Sequence, residues 1–270
     1  MEGARPDQVS VAESFLRALK RRGIDHVFAN AGTDFAPIIE ALVKLRHDAG
    51  SLPQFITVPH ENLAVAMAHG YYLVTGKPAG VMVHVTVGTA NTVCALMNAY
   101  RDEVPVLLMA GRTPITQRGH IASRTHPIHW GQENFDQAGI VREYTKWNFE
   151  LRAGQPVDEV VGRALDVALA EPRGPVYLML PREVLADADR GAGDATVPAA
   201  PVVAEPEPST SHVETVAEWL AAARHPVIVT THVGRDLGAV AALADAAEAC
   251  AIPVVEAAAT CVNLPASHPM

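Results

Sequence analysis

Val58-Pro59-His60-Glu61-Asn62-Leu63-Ala64 decides the fold, read together with His84-Val85-Thr86-Val87-Gly88-Thr89-Ala90-Asn91 further along. In the first stretch strand-type residues give way to a helical pattern at a single carboxylate, Glu61. In the second, the apolar run 79–83 passes through His84 and a Gly-Thr-Ala-Asn turn into another helix. Such junctions put side chains at the carboxyl ends of a sheet, where α/β proteins bind ligands. One junction offers a carboxylate and the other an imidazole, which together make an acid–base site.

Working outward, the chain alternates helix and strand from Val11. Helical spacing runs through Val11, Phe15, Leu16 and Leu19. A strand is predicted over 24–29, then a helix over 34–45 capped by Thr33 or Asp34. A short strand over 54–58 precedes a helix over 61–74, which Gly76 and Pro78 end. A buried strand over 79–84, a helix over 89–100 and a strand over 106–110 follow. Strand-like residues recur over 142–149 and 176–180, with a helix near 157–169 between them. This alternation predicts an α/β fold, a doubly wound, mostly parallel sheet with helices on both faces.

Residues 186–211 break the pattern. Pro198, Pro201, Pro206 and Pro208 crowd an aperiodic segment with Gly191, Gly193 and several acidic residues, which reads as an extended linker. Beyond it, 212–223 is helical, 226–230 a strand, 237–249 an alanine-rich helix and 252–255 a strand. The expected organisation is one domain over 1–185, a linker over 186–211, and over 212–270 the first part of an incomplete second α/β domain. Two strands and two helices leave apolar faces uncovered.

Composition excludes some functions. The net charge of −9 leaves no basic surplus to neutralise phosphates, so a nucleic-acid partner is not expected. Charged residues are 19% of the chain, below the usual quarter or so, which fits buried parallel strands or large interfaces. No apolar run reaches the length of a membrane span, and residues 1–8 lack the apolar core of a secretion signal. Cys94, Cys250 and Cys261 are odd in number and lack metal spacing, so they read as free thiols in a reducing cytoplasm. His120, His126, His129 and Trp130 cluster in a long loop. No carboxylate or cysteine completes a metal pattern there, so the expectation is that they line the mouth of a site or meet a partner.

A set of short motifs now carries a resemblance. They are Phe28-Ala29-Asn30-Ala31-Gly32-Thr33, His60-Glu61, Gly70-Tyr71-Tyr72, Thr75-Gly76-Lys77-Pro78, Gly88-Thr89-Ala90-Asn91, Asn98-Ala99-Tyr100, Pro105-Val106-Leu107, Ala110-Gly111 and Gly174-Pro175-Val176-Tyr177-Leu178. Their order and spacing over residues 11–185 resemble the pyrimidine-binding domain of thiamine-diphosphate enzymes of the acetolactate synthase and benzoylformate decarboxylase group. Those relatives continue through a central domain into a third domain. Its Gly-Asp-Gly motif and downstream Asn hold Mg2+ and the diphosphate. No Gly-Asp-Gly occurs in this sequence. The resemblance therefore implies an N-terminal part, as a fragment, a split-gene subunit or a chain whose remainder sits in a partner. It also implies thiamine diphosphate as cofactor, a metal held outside this chain, and a homo-oligomer or a partner chain carrying the diphosphate-binding domain.

The resemblance assigns roles residue by residue. Glu61 matches the glutamate that hydrogen-bonds the cofactor's aminopyrimidine and favours its imino form, which calls for a poorly solvated carboxyl. Its other reading is a helix-start acid stabilising the dipole. His84 matches the proton-transfer histidine of the benzoylformate decarboxylases, at the same spacing after the glutamate. Neutral imidazole suits that work near pH 7. Otherwise it ends a strand and bonds a loop carbonyl. Thr33 stands where that decarboxylase has a substrate-contacting serine, or it is only a helix cap. Asp34 after it is poorly placed to welcome a carboxylate if it points into the site. Gly32, Gly88 and Asn91 would serve turns that let backbone approach the pyrimidine ring, although Asn91 could instead cap a helix. Gln132-Glu133 resembles a pair on a dimer-facing helix, and Arg112 replaces a Gln common in the family. The implied function is decarboxylation or carboligation of a 2-oxo acid, or lyase action on a 2-hydroxyacyl substrate. Acetolactate synthase-like carboligation and a non-catalytic assembly subunit are the alternatives. A dinucleotide-binding domain is disfavoured, because no Gly-x-Gly-x-x-Gly turn follows the first strand.

Overall fold

The computed structural model describes residues 8–30, 32–190 and 207–270. Of the linker expected over 186–211, residues 191–206 lie outside the described residues, as does Ala31. The chain divides into two compact units, Met1–Val202 and Val203–Met270.

The first unit is a six-stranded, wholly parallel sheet, as the alternating pattern predicts. Its strands are β1 (His26–Ala29), β2 (Gln54–Thr57), β3 (Ala79–Val83), β4 (Val106–Arg112), β5 (Trp147–Glu150) and β6 (Val176–Pro181), in the order β2-β1-β3-β4-β6-β5. The central β3, β4 and β6 are apolar almost throughout and nearly all buried, because helices cover both faces. The edges β2 and β5 are only partly buried. One face packs on α1 (Val11–Arg21), α2 (Ala36–Lys44) and α7 (Val157–Leu169), through Phe15, Leu16, Leu19, Ile38 and Leu165. The other packs on α3 (Glu61–Thr75) and α5 (Val93–Arg101), through Val65, Ala68, Leu96 and Ala99. Between α3 and α5 lies α4 (Val85–Asn91). The short α6 (Ile128–Gly131) and α8 (Arg182–Ala186) complete the unit.

Local chemistry sets the helix ends. Ser10 Oγ accepts from Glu13 N at 3.2 Å while Glu13 Oε1 accepts from Ser10 N at 3.1 Å, a capping box that starts α1. His60 caps α3, its Nδ1 accepting from Asn62 N at 3.2 Å. Gly76 ends α3 with φ +69°, a left-handed conformation glycine adopts without cost.

Three local expectations change. The Gly-Thr-Ala-Asn segment is not a turn: helix α4 begins at Val85, directly after β3 ends at Val83, and the chain breaks to α5 at Thr92. Gly88 therefore sits inside a helix, where a Cβ would come within 3.0 Å of Val83 Cβ. Its missing side chain lets α4 close onto the strand it follows. The helix expected over 34–45 opens as a 3-10 turn at Thr33–Phe35, whose N-cap is Gly32. Neither Thr33 nor Asp34 caps it, because the Asp34 carboxylate is engaged elsewhere. Over 142–149 only Trp147–Glu150 is strand, since Arg142–Tyr144 winds into a 3-10 turn.

The second unit contains α9 (Thr210–Ala222), β7 (Ile228–Thr230), α10 (Leu237–Cys250) and β8 (Val254–Glu256), with β7 and β8 parallel. It buries little: α9 has no buried residue, and Trp219 is 69% exposed. Among the described residues no helix is long and apolar enough to cross a membrane.

Candidate active site

The chain runs from β1 outward to β2, then returns to lay β3 on the other side of β1. That reversal opens a crevice at the carboxyl ends of β1 and β3, the place where open α/β sheets take ligands. The segment after β1 supplies Gly32, Thr33 and Asp34, the segment after β3 supplies His84, and the end of β4 supplies Arg112. The β1–β3 register pairs Ala29 with Met82, so the two loops leave the sheet side by side.

Asp34 and His84 meet there. Asp34 is 2% exposed, and its Oδ1 lies 2.6 Å from His84 Nδ1, while Oδ2 accepts from Val85 N at 3.2 Å. On the other edge of the ring, Gln132 Nε2 is 2.9 Å from His84 Nε2. The hydrogen bond from Asp34 raises the His84 pKa above its ordinary value. Burial opposes that rise, and the charges of Asp34 and Glu61 add to it. Space for the pair comes from two glycines. A Cβ on Gly32 would sit 2.0 Å from His84 Nδ1, and one on Gly111 would sit 1.9 Å from Asp34 Oδ2.

The imidazole borders a shallow, narrow cleft lined by Thr33, Asp34, His84, Arg112, His129 and Arg182 among others. Arg112 is anchored by Glu150 at 3.0 Å and by the carbonyl of Asn134 at 3.0 Å. His129 is buried. Its Nδ1 accepts from Thr125 N at 3.1 Å, while Nε2 has no hydrogen-bond partner. Burial, then the positive charges of Arg182, His126 and Arg124, lowers its pKa, so the ring is held neutral. With Nδ1 accepting, the neutral ring carries its proton on Nε2. Tyr177 is fully buried on β6, and burial pushes its hydroxyl up to about 12. Gln137 donates to that hydroxyl at 2.8 Å, and Thr89 contacts it at 2.8 Å.

The sequence-predicted residues divide between two places. Thr33 and His84 line the cleft, and Gly32 packs against the His84 ring. Glu61 is the first residue of α3, 8% exposed, and its Oε2 accepts from Asn91 Nδ2 at 3.1 Å. Gly88 packs against Val83. The histidine-rich loop separates: His129 lines the cleft, His126 is exposed, and His120 bonds Asp187 at 3.0 Å, pinning the loop to the end of α8 rather than lining the mouth. Gln132 turns toward His84, and Glu133 pairs with Arg124. Sequence reasoning missed Asp34 as the partner of His84, along with Arg182 and Gln137. Only the Gly-Thr-Asp run after the first strand could have flagged Asp34.

A doubly wound parallel sheet with an acid–base pair in its switch-point crevice defines a ligand-binding α/β domain. Comparison with known proteins makes the class specific. Residues 9–140 match the family described as thiamine pyrophosphate enzyme, N-terminal TPP binding domain. The chain is similar to benzoylformate decarboxylase of Pseudomonas aeruginosa, 29% identical over 211 residues, covering 78% of this chain and 37% of that protein. It is also similar to acetolactate synthase of Mycobacterium bovis, 29% identical over 273 residues, covering 97% of this chain and 40% of that protein. Among solved structures, the thiamine diphosphate-dependent 4-hydroxybenzoylformate decarboxylase of Rhodococcus jostii superposes with a TM-score of 0.79 at 25% identity, covering 97% of this chain and 47% of that one. The chain thus spans less than half the length of these relatives.

Proposed function

We propose that this chain is the N-terminal part or subunit of a thiamine-diphosphate-dependent 2-oxo acid decarboxylase or carboligase, or of a 2-hydroxyacyl lyase. One observation carries the reading: His84, flanked by Asp34 and Gln132, opens onto a cleft that also holds Thr33 and two arginines. Arg112 and Arg182 suit an anionic 2-oxo acid. The Asp34 charge, a concern for such a substrate, is turned onto His84 and Val85 N.

The donor set fits the pyrimidine half of the cofactor. Glu61 is a barely exposed carboxyl at a helix start, already oriented by Asn91. When bound, thiamine diphosphate supplies an electron sink for loss of carbon dioxide. Glu61 holds the pyrimidine through a hydrogen bond, with Asn91 keeping its carboxyl in place. Thr33 holds the substrate carboxylate, and His84 moves protons at Nε2. Among the described residues no three His, Cys, Asp or Glu side chains converge as metal ligands. In this reading Mg2+ and the diphosphate belong to a diphosphate-binding domain outside this chain, brought by a homo-oligomer or a partner chain.

Acetolactate synthase-like carboligation is the reading favoured if His84 points away from the site; its place beside Thr33 supports the decarboxylase reading instead. Calorimetry tests the proposal. The chain alone should bind thiamine diphosphate very weakly, and adding a diphosphate-binding domain should give tight binding and release of carbon dioxide from aryl 2-oxo acids. Micromolar, magnesium-dependent binding by the chain alone would overturn the division of labour. Tight binding without turnover would favour the non-catalytic assembly subunit.

A further inference from the structure

We infer that Asp34 is a positioning residue for His84, holding its proton on Nδ1 so that Nε2 is the atom that exchanges protons in the cleft. The use of that atom rests on the decarboxylase reading; the hydrogen-bond pattern stands without it.

The polar contacts allow one consistent assignment for the neutral ring. An ionised carboxylate only accepts, so the 2.6 Å contact requires hydrogen on His84 Nδ1. A neutral ring then has its lone pair on Nε2. Gln132 faces that atom with an amide nitrogen, a donor, at 2.9 Å. The other Asp34 oxygen is taken by Val85 N, so the carboxylate cannot swing away without orphaning a buried amide.

The surroundings are built for this pair. Gly32 and Gly111 end up where any side chain would collide with His84 or Asp34. Val85 holds φ +30°, a conformation β-branched residues rarely adopt. Its N–H donates to Asp34 Oδ2 at 3.2 Å, and strain of this kind gathers at functional sites. The charged and titratable groups facing His84 are Asp34 and Glu61 on the acidic side. Arg112, His129 and Arg182 line the same cleft. Gln132 is neutral and can follow a change of charge. When Nε2 gains a proton, the amide turns to present its oxygen, and when the proton leaves it turns back. A proton passes between a cleft-bound hydroxyl or water and Nε2 once the Gln132 amide swings off that nitrogen, while Nδ1 keeps its own.

The test is long-range proton–nitrogen NMR of the full chain with nitrogen-labelled imidazoles, His84 being assigned from the peak lost in His84→Gln. Wild type should show the Nδ1–H tautomer and titrate above the ordinary value of about 6.5. Asp34→Asn, nearly isosteric, has one oxygen for two donors; with that oxygen on Val85 N its amide faces Nδ1, so the ring should shift to the Nε2–H tautomer and titrate lower by about one unit or more. Asp34→Ala should lose the tautomer bias. In an enzyme completed with a diphosphate-binding domain, Asp34→Asn should move the acid limb of the kcat profile to lower pH with KM little changed. An Nε2–H tautomer in wild type, or an unchanged titration in Asp34→Asn, overturns the inference. If Asp34→Ala fails to fold, Asp34→Asn decides alone. The spectra need neither cofactor nor substrate, so an inactive assembly with the expected titration would fail only the decarboxylase reading.

Discussion

Asn91 Nδ2 donates to Glu61 Oε2 across 3.1 Å, so the last residue of α4 holds the carboxyl that opens α3. Glu61→Gln keeps an oxygen for Asn91, and the fold should survive it. With a complete cofactor site, exchange of the thiazolium ring proton into deuterated solvent should slow by about a hundredfold or more. An unchanged exchange rate removes Glu61 from cofactor activation.

His84→Ala should lower turnover of a decarboxylated 2-oxo acid by at least about a hundredfold, with cofactor affinity nearly unchanged. The sequence alone suggests that melting would shift little. The structure changes that expectation, because the variant leaves the buried Asp34 with Val85 N as its remaining hydrogen-bond partner. A loss of about 1–3 kcal/mol in urea unfolding is expected. Retained turnover with a markedly earlier melt would make His84 structural and return the balance to acetolactate-type carboligation.

The raised pKa of His84 has a thermodynamic counterpart. A group whose folded value lies above its unfolded value stabilises the fold fully below the unfolded value, about 6.5 for imidazole. That stabilisation fades as pH rises through the folded value. The stability gap between wild type and His84→Gln should therefore be widest in mild acid and narrow toward alkaline pH. Paired melts across that range measure it, and a gap that is flat or widens with pH contradicts the Asp34 hydrogen bond.

Two glycines should respond in opposite senses. A Cβ on Gly111 would lie 2.4 Å from Asp34 Cβ, which is close to the backbone and cannot swing aside. Gly111→Ala should cost about 1–3 kcal/mol and disturb the His84 resonance. Gly70 lies inside α3, and a methyl group added there would meet nothing within 4 Å. Gly70→Ala should therefore be neutral or stabilise by up to about 1 kcal/mol, through helix propensity. Chemical denaturation of both variants checks the pair; equal effects would mean that close approach at Gly111 does not matter.

The sequence by itself determined the elements. Short apolar runs at 79–83, 106–110 and 176–180, flanked by Pro or Gly, read as strands buried on both faces, and the spacing from Val157 to Leu169 marked a helix with those same bounds. These features were legible because hydrophobic periodicity is local. Tertiary structure alone decided the order of the strands, which places β6 between β4 and β5. It also decided what Asp34 does. Local chemistry marks an Asp at a helix start as a cap. Asp34 instead bonds a histidine fifty residues away, because β1 and β3 pair side by side and bring their ends together. Which loops become neighbours depends on strand pairing and register, and neither leaves a mark in the spacing of residues along one strand.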